Sequence, residues 1–164
     1  MNCANCGAPM KLAPDRHSYH CEYCKSIYFP EETPDGIRFL EEASEVTCPV
    51  CKIPLLHAWI DETAALSCTR CRGILLEQNA FMTTLRYLRA RSTQPAVQPG
   101  PMRTEELERD IGCPYCRKEM DTHPYGGPGN IVVDNCAHCN VIWLDSGEAS
   151  RVVRAPGRDR GEWL

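Results

Sequence analysis

Apolar residues come in short bursts, each set close behind a pair of cysteines. Ile27-Tyr28-Phe29, Ile74-Leu75-Leu76 and Ile142-Trp143-Leu144 each begin three residues beyond a C-x-x-C doublet. Runs this short, bounded by turn-forming residues, predict buried β-strands. Upstream of the second and third bursts, residues 55–67 around Asp61-Glu62 and residues 120–135 around the Gly-rich stretch 125–130 predict hairpins. Helical periodicity is confined to a few places. Asn79 is placed to cap a helix running to Arg91, with Phe81, Met82, Leu85 and Leu88 on one face and Arg86 and Arg89 turned elsewhere. Asp145 with Glu148 three residues later predicts a capping box for a short helix to Arg154. Pro34-Asp35-Gly36 leads into a predicted short helix carrying Ile37, Leu40 and Ala43. Pro95, Pro99, Gly100 and Pro101 make residues 92–104 a linker with little reason to fold, and a charged helical turn follows at 104–110.

The cysteines show that one unit is written three times. They form six doublets: Cys3/Cys6, Cys21/Cys24, Cys48/Cys51, Cys68/Cys71, Cys113/Cys116 and Cys136/Cys139. Within successive pairs of doublets the gaps hold 14, 16 and 19 residues, against 23 and 41 between pairs. The flanks repeat as well, with Met10, Leu55 and Met120 each four residues beyond a first doublet. Recurrence at fixed offsets from the cysteines is what a tiny repeated core requires. The predicted organisation is a ribbon over 1–32, a short helical connector over 33–46, and a second ribbon with its helix over 47–91. The Pro/Gly linker and charged turn occupy 92–110, a third ribbon 111–155 and a flexible tail 156–164.

Composition points the same way. Leu, Ile, Val and Phe number 31 in 164 residues, near the floor for an ordinary globular core. Small modules whose folding depends on metal or cross-links fit these numbers better than one large core. The longest apolar runs are strand-length, so no membrane span is expected. The chain opens Met1-Asn2-Cys3 without a charged leader or apolar region, which predicts a cytoplasmic protein whose thiols stay reduced. Its net charge of −4 argues against non-specific nucleic-acid binding.

Two C-x-x-C turns held by a hairpin can direct four thiolates at one ion and close a tetrahedral site with Zn–S bonds of about 2.3 Å. Three matched sets therefore predict three zinc ions, one Cys₄ site per ribbon, with all twelve cysteines as ligands. Zinc contributes roughly 10–16 kcal/mol of apparent binding energy in small peptides, more than a few apolar side chains supply. Lys25, Lys52, Arg72 and Arg117 directly follow four of the doublets and offset the double negative charge of each tetrathiolate. Four cysteines per module leave His20 and His138 outside the ligand set, and His17, His57 and His123 have no paired acid or nucleophile nearby. Walker A, G-x-G-x-x-G, H-E-x-x-H and C-x-x-C-H patterns are all lacking.

These residues resemble the zinc ribbon named after transcription factor IIB. The third module carries the resemblance furthest, with Cys113-Pro114-Tyr115-Cys116, Cys136-Ala137-His138-Cys139 and then Trp143-Leu144-Asp145-Ser146-Gly147-Glu148. The second keeps Cys48-Pro49-Val50-Cys51 and Cys71-Arg72-Gly73-Ile74 but has Leu75-Leu76-Glu77 where the pattern has W-L-D. The first keeps its cysteines and Ile27-Tyr28-Phe29 and departs after Pro30. The resemblance implies a small antiparallel β ribbon around structural zinc and an interaction role.

The fold expected is thus a metal-dominated β or α+β chain: three tandem zinc ribbons with short helical tails and little regular core between them. The function expected is a non-enzymatic adaptor with a protein partner and transcription-related contacts. Nucleic acid is the lesser partner, to be gripped by arginines at 86, 89, 91, 151, 154, 158 and 160. Trp59, Trp143 and Tyr125 are candidate contacts, with Trp143 better placed for packing and the terminal Trp163 for neither. The alternative is redox or electron transfer, through rubredoxin-like iron or doublets cycling between thiol and disulfide. No doublet stands at a helix start after a βαβ strand, where a thiolate would be activated.

Overall fold

The computed structural model describes residues 1–14 and 18–161; the expectations for His17 and Trp163 fall outside them. Strands β1 (Met10–Leu12), β2 (Tyr19–Cys21) and β3 (Ile27–Tyr28) form a small antiparallel sheet in the order β1-β2-β3. A second sheet holds β4 (Ile37–Thr47), β5 (Pro54–Ile60), β6 (Thr63–Ser67), β7 (Ile74–Glu77), β8 (Asp121–Pro124), β9 (Val132–Cys136) and β10 (Val141–Leu144). Helix α1 spans Gln78–Arg91, α2 spans Glu148–Arg154, and a 3₁₀ turn occupies Thr104–Glu108.

The seven-stranded order β4-β5-β6-β7-β10-β9-β8 shows that the second and third ribbons are one sheet. They meet along β7 and β10, antiparallel, with Leu75 opposite Trp143, Ile74 opposite Leu144 and Leu76 opposite Ile142. Leu75 and Trp143 hold the same place in their repeats, as do Ile74 with Ile142 and Leu76 with Leu144. The pairing is therefore symmetric about a local two-fold axis between Leu75 and Trp143. Each half contributes a three-stranded ribbon followed by a helix.

Alternation along β7 and β10 sorts their side chains onto two buried faces. Ile74, Leu76, Ile142 and Leu144 pack with Phe81 and Leu85 of α1 and with Ala149 and Val152 of α2. On the other face Leu75, Val141 and Trp143 pack with Leu55, Ile111, Met120 and the cysteines of both ribbons. A sparsely apolar chain thus builds a continuous core by sharing two central strands. The expectation of little regular core between modules is corrected here for the second and third ribbons.

The connector at 33–46 is corrected too: residues from Ile37 onward are strand β4, not a helix. Ile37 and Leu40 are both buried, a three-residue spacing that mimics a helical face. The strand achieves it through irregular pairing with β5. Between Phe39 and Ala43, and again between Ala43 and Thr47, four residues of β4 span two of β5, so alternation is broken and the strand bends.

Both helices are held by polar groups outside themselves. Asp35 accepts from the Gly147 N–H (2.7 Å) and the Ser150 N–H (2.8 Å), satisfying free donors at the start of α2. Half of the expected capping box is present, with Glu148 Oε2 accepting from the Asp145 N–H at 2.7 Å. Arg89 is not turned outward but buried, pairing with Asp159 (2.6 Å) and donating to the carbonyls of Val152 and Ala155 at the end of α2. A guanidinium supplies the donors that a helix C-terminus needs. The linker and tail are also engaged: Val97 N–H donates to Arg154 (2.8 Å), Arg151 to the carbonyls of Gly100 and Pro101, and Gly161 N–H to Ala90. The first ribbon meets β4 at Glu41, whose N–H donates to the Tyr19 hydroxyl (2.6 Å) and whose carboxylate meets the N-terminal amine.

Candidate metal centres

Each centre is built from two turns of the same design. In five of the six doublets the residue after the second cysteine donates its N–H to the carbonyl of the first: Gly7 to Cys3, Lys25 to Cys21, Lys52 to Cys48, Arg72 to Cys68 and Arg117 to Cys113, at 2.8–3.1 Å. That residue has positive φ in all six, from 54° at Asn140 to 75° at Gly7. A left-handed residue there closes the turn and aims both sulfurs to one side. Side chains other than Gly and Asn adopt it at a cost of about 1 kcal/mol each.

The turns bring Cys3, Cys6, Cys21 and Cys24 together, then Cys48, Cys51, Cys68 and Cys71, then Cys113, Cys116, Cys136 and Cys139, with the sulfurs of each group all within 4.8 Å. The closest cross-doublet pairs are Cys3–Cys24 and Cys6–Cys21 at 3.5 Å, Cys116–Cys136 at 3.6 Å and Cys48–Cys71 at 3.7 Å. A sulfur tetrahedron with metal bonds of about 2.3 Å has edges of about 3.8 Å. A disulfide needs about 2.05 Å. The spacing fits a four-coordinate metal, and all twelve cysteines are free thiols.

Electrostatics show why a cation belongs there. In the first centre the Ser26 hydroxyl, 3.0 Å from Cys24, and the Ser26 N–H lower that thiol to about 5, while Cys6 is pushed up to about 12. In the third, the Lys118 N–H lowers Cys116 to about 7 and burial pushes Cys139 up to about 12. Burial likewise raises Cys71 in the second. Four thiols this close lose the first proton easily and the last with difficulty; a bound dication lets all four ionise. Of the cations that follow the doublets, Lys25 folds back on the Glu22 carbonyl (2.8 Å) and Lys52 on the Pro49 carbonyl (2.6 Å), each over its own turn, and Arg72 lies over the Phe39 ring.

The second and third centres flank Trp143. Its ring is fully buried and its indole N–H donates to Asp145 at 3.2 Å. A β-carbon at Gly73 would lie 2.0 Å from that ring, so only glycine two residues beyond Cys71 lets the tryptophan of one ribbon cover the other. Trp143 is therefore packing rather than a contact surface. Tyr125 packs edge-on against Phe81, with ring centroids 5.3 Å apart. His20 and His138 are outside the ligand groups.

A fourth cluster, of Glu106, Asp145 and Glu148, is acidic. Arg109 lies beside it, pairing with Asp145 at 2.6 Å and with the fully buried Asp134, which also accepts from Thr122. Burial pushes Glu148 up to about 8, with Asp145 and Glu106 adding to the rise. Arg109 does not stand out in the sequence, where it lies among charged neighbours, and Arg89 reads there only as one of seven candidate phosphate-binding arginines.

The structure thus defines a multi-ribbon protein with three Cys₄ metal sites. Residues 112–155 match the family described as transcription factor zinc-finger, the TFIIB-type zinc ribbon, so the third module is a ribbon of that type. Within it the W-L-D-x-G-E residues all have structural tasks. Trp143 covers the neighbouring ribbon, Asp145 anchors the indole and Arg109, Gly147 turns with φ 87°, and Glu148 closes the turn. No curated protein and no solved structure matches the chain at a significant level. Among the described residues no helix is long and apolar enough to cross a membrane.

Proposed function

We propose that the chain is a zinc-held, non-enzymatic interaction scaffold whose partner is a protein, in a transcription-related role. One observation carries this reading: every cysteine belongs to a group of four, so each ion would be fully coordinated by protein. A closed tetrathiolate has no position for substrate or activated water, which distinguishes structural zinc from catalytic zinc. The third module's family points the same way.

Four of the seven candidate arginines are engaged within the fold, which supports protein over nucleic acid as partner, while Arg86, Arg154 and Arg158 are exposed. Arg89 is buried against Asp159, Arg151 and Arg160 hold backbone carbonyls of the linker, and Arg91 lies over Tyr87. With these groups turned to partners within the fold the continuous basic stripe of a phosphate-binding face is interrupted, and the overall charge is negative.

Native mass spectrometry on protein purified under reducing conditions without added metal tests the reading. Three zinc ions per chain, with thiols unreactive until chelator is added, are expected. Iron, or masses short by two hydrogens per doublet, would replace the scaffold with redox chemistry. Salt-sensitive binding of duplex DNA or RNA would replace the protein partner.

A further inference from the structure

The second and third ribbons show how two such units bury their third strands, by pairing them edge to edge about a two-fold axis. That pairing takes two ribbons and the chain has three. In the first ribbon the corresponding residues Ile27, Tyr28 and Phe29 are 55%, 39% and 64% exposed, whereas their counterparts in β7 and β10 are buried. Strand β3 is an edge strand of its sheet.

We propose that the first ribbon is a homodimerisation site, in which β3 of one chain pairs antiparallel with β3 of a second copy, Tyr28 opposite Tyr28. The register follows from the internal pair, since Tyr28 corresponds to Leu75 and Trp143, which face each other. Its hydrogen bonds are available. Cys21 N–H donates to Ser26, and Tyr19 lies opposite Tyr28, so alternation directs Tyr28 toward β2 and the N–H and C=O of Ile27 and Phe29 outward. These are the groups that Ile74 and Leu76 use toward β10. Pro30 comes at a position whose N–H is not needed.

Side chains match as well. On one face Ile27 of each copy lies against Phe29 of the other, covering the exposed apolar surface. Beyond the paired residues the same register sets Lys25 of each copy opposite Glu31 of the other, so two pairs of opposite charge flank the strand. A two-fold pairing closes on itself, so the assembly stops at two chains. The short paired segment makes the association reversible.

Sedimentation equilibrium on the zinc-loaded full chain, over micromolar to sub-millimolar concentrations, tests this. A reversible monomer–dimer equilibrium is expected. Phe29→Asp, at an exposed position, is expected to abolish the dimer while native mass spectrometry still counts three metals. Glu31→Lys, which sets like charges opposite Lys25, is expected to weaken it by about tenfold. Val97→Asp, at an exposed position in the linker and outside every metal-binding turn, is expected to leave it unchanged. A single-chain mass at every concentration would overturn the proposal. So would a dimer that Phe29→Asp leaves intact, or one that Val97→Asp dissolves.

Discussion

At the scale of single residues, the most constrained position is a glycine that carries no chemistry. Gly73 faces Trp143 so closely that an added methyl must displace the indole or separate β7 from β10. Gly73→Ala is expected to lower stability by about 1–3 kcal/mol, the usual cost of overpacking, and to shift the tryptophan emission. A urea titration checks both; an unchanged midpoint would mean the two strands part without cost. Glu148 gives a pH signature. Its folded-state value of about 8 lies above the ordinary 4.5, so the folded protein retains a proton that the unfolded chain gives up. Its contribution is complete below the unfolded value and is lost as pH rises toward the folded value. Glu148→Gln removes that loss, so the variant is expected to gain stability relative to the parent between about pH 6 and pH 8. Urea midpoints across that range, in zinc-buffered solution, test it, and parallel curves for the two proteins would refute it. The cysteines were legible in the sequence because ligand chemistry fixes both residue type and spacing. Gly73 was not, because its constraint comes from a side chain 70 positions away in sequence.

At the scale of elements, the hairpins and third strands follow directly from apolar bursts tied to each doublet. Strand β4 does not. Its pairing irregularities place Ile37 and Leu40 inside at helical spacing, and periodicity alone cannot distinguish a bulged strand from a short helix. The Asp35 cap is not legible in the sequence for a related reason, since a helix start is normally marked by its own neighbouring residues. Asp35 reaches α2 from more than 100 positions upstream and ties the segment after the first ribbon to the third. Asp35→Ala is expected to cost about 0.5–2 kcal/mol, the range for a lost N-cap. Amide hydrogen exchange at Gly147 and Ser150 is the direct readout. Faster exchange there, with α1 unaffected, is expected; uniform acceleration in both helices would show that Asp35 supports the whole sheet rather than one helix end.

At the scale of the molecule, repeat counting finds three ribbons but not the joint between two of them. Identical modules on a flexible chain and modules fused through β7 and β10 have the same cysteine spacing. The difference lies in what covers Leu75 and Trp143, and each is covered by the other ribbon. Metal loss should follow that architecture. Removing one ligand of the third site, as in Cys113→Ser, leaves β8–β10 without the ion that organises them and exposes the β7 face that Trp143 covered. The second site, whose Cys48 and Cys68 pack in the same cluster, should then release its metal at lower chelator concentration than in the parent. The described residues of the first ribbon have their own sheet and meet β4 at Glu41 through Tyr19 and the Met1 amine, so its metal should be retained. Native mass spectra during a chelator titration of Cys113→Ser are expected to pass to a species with one metal per chain. A persistent two-metal species, matched to the parent in chelator resistance, would mean that the ribbons fold independently despite their common sheet. The expected result would make the chain two cooperative units, a fused pair of ribbons and a single one whose third strand remains open.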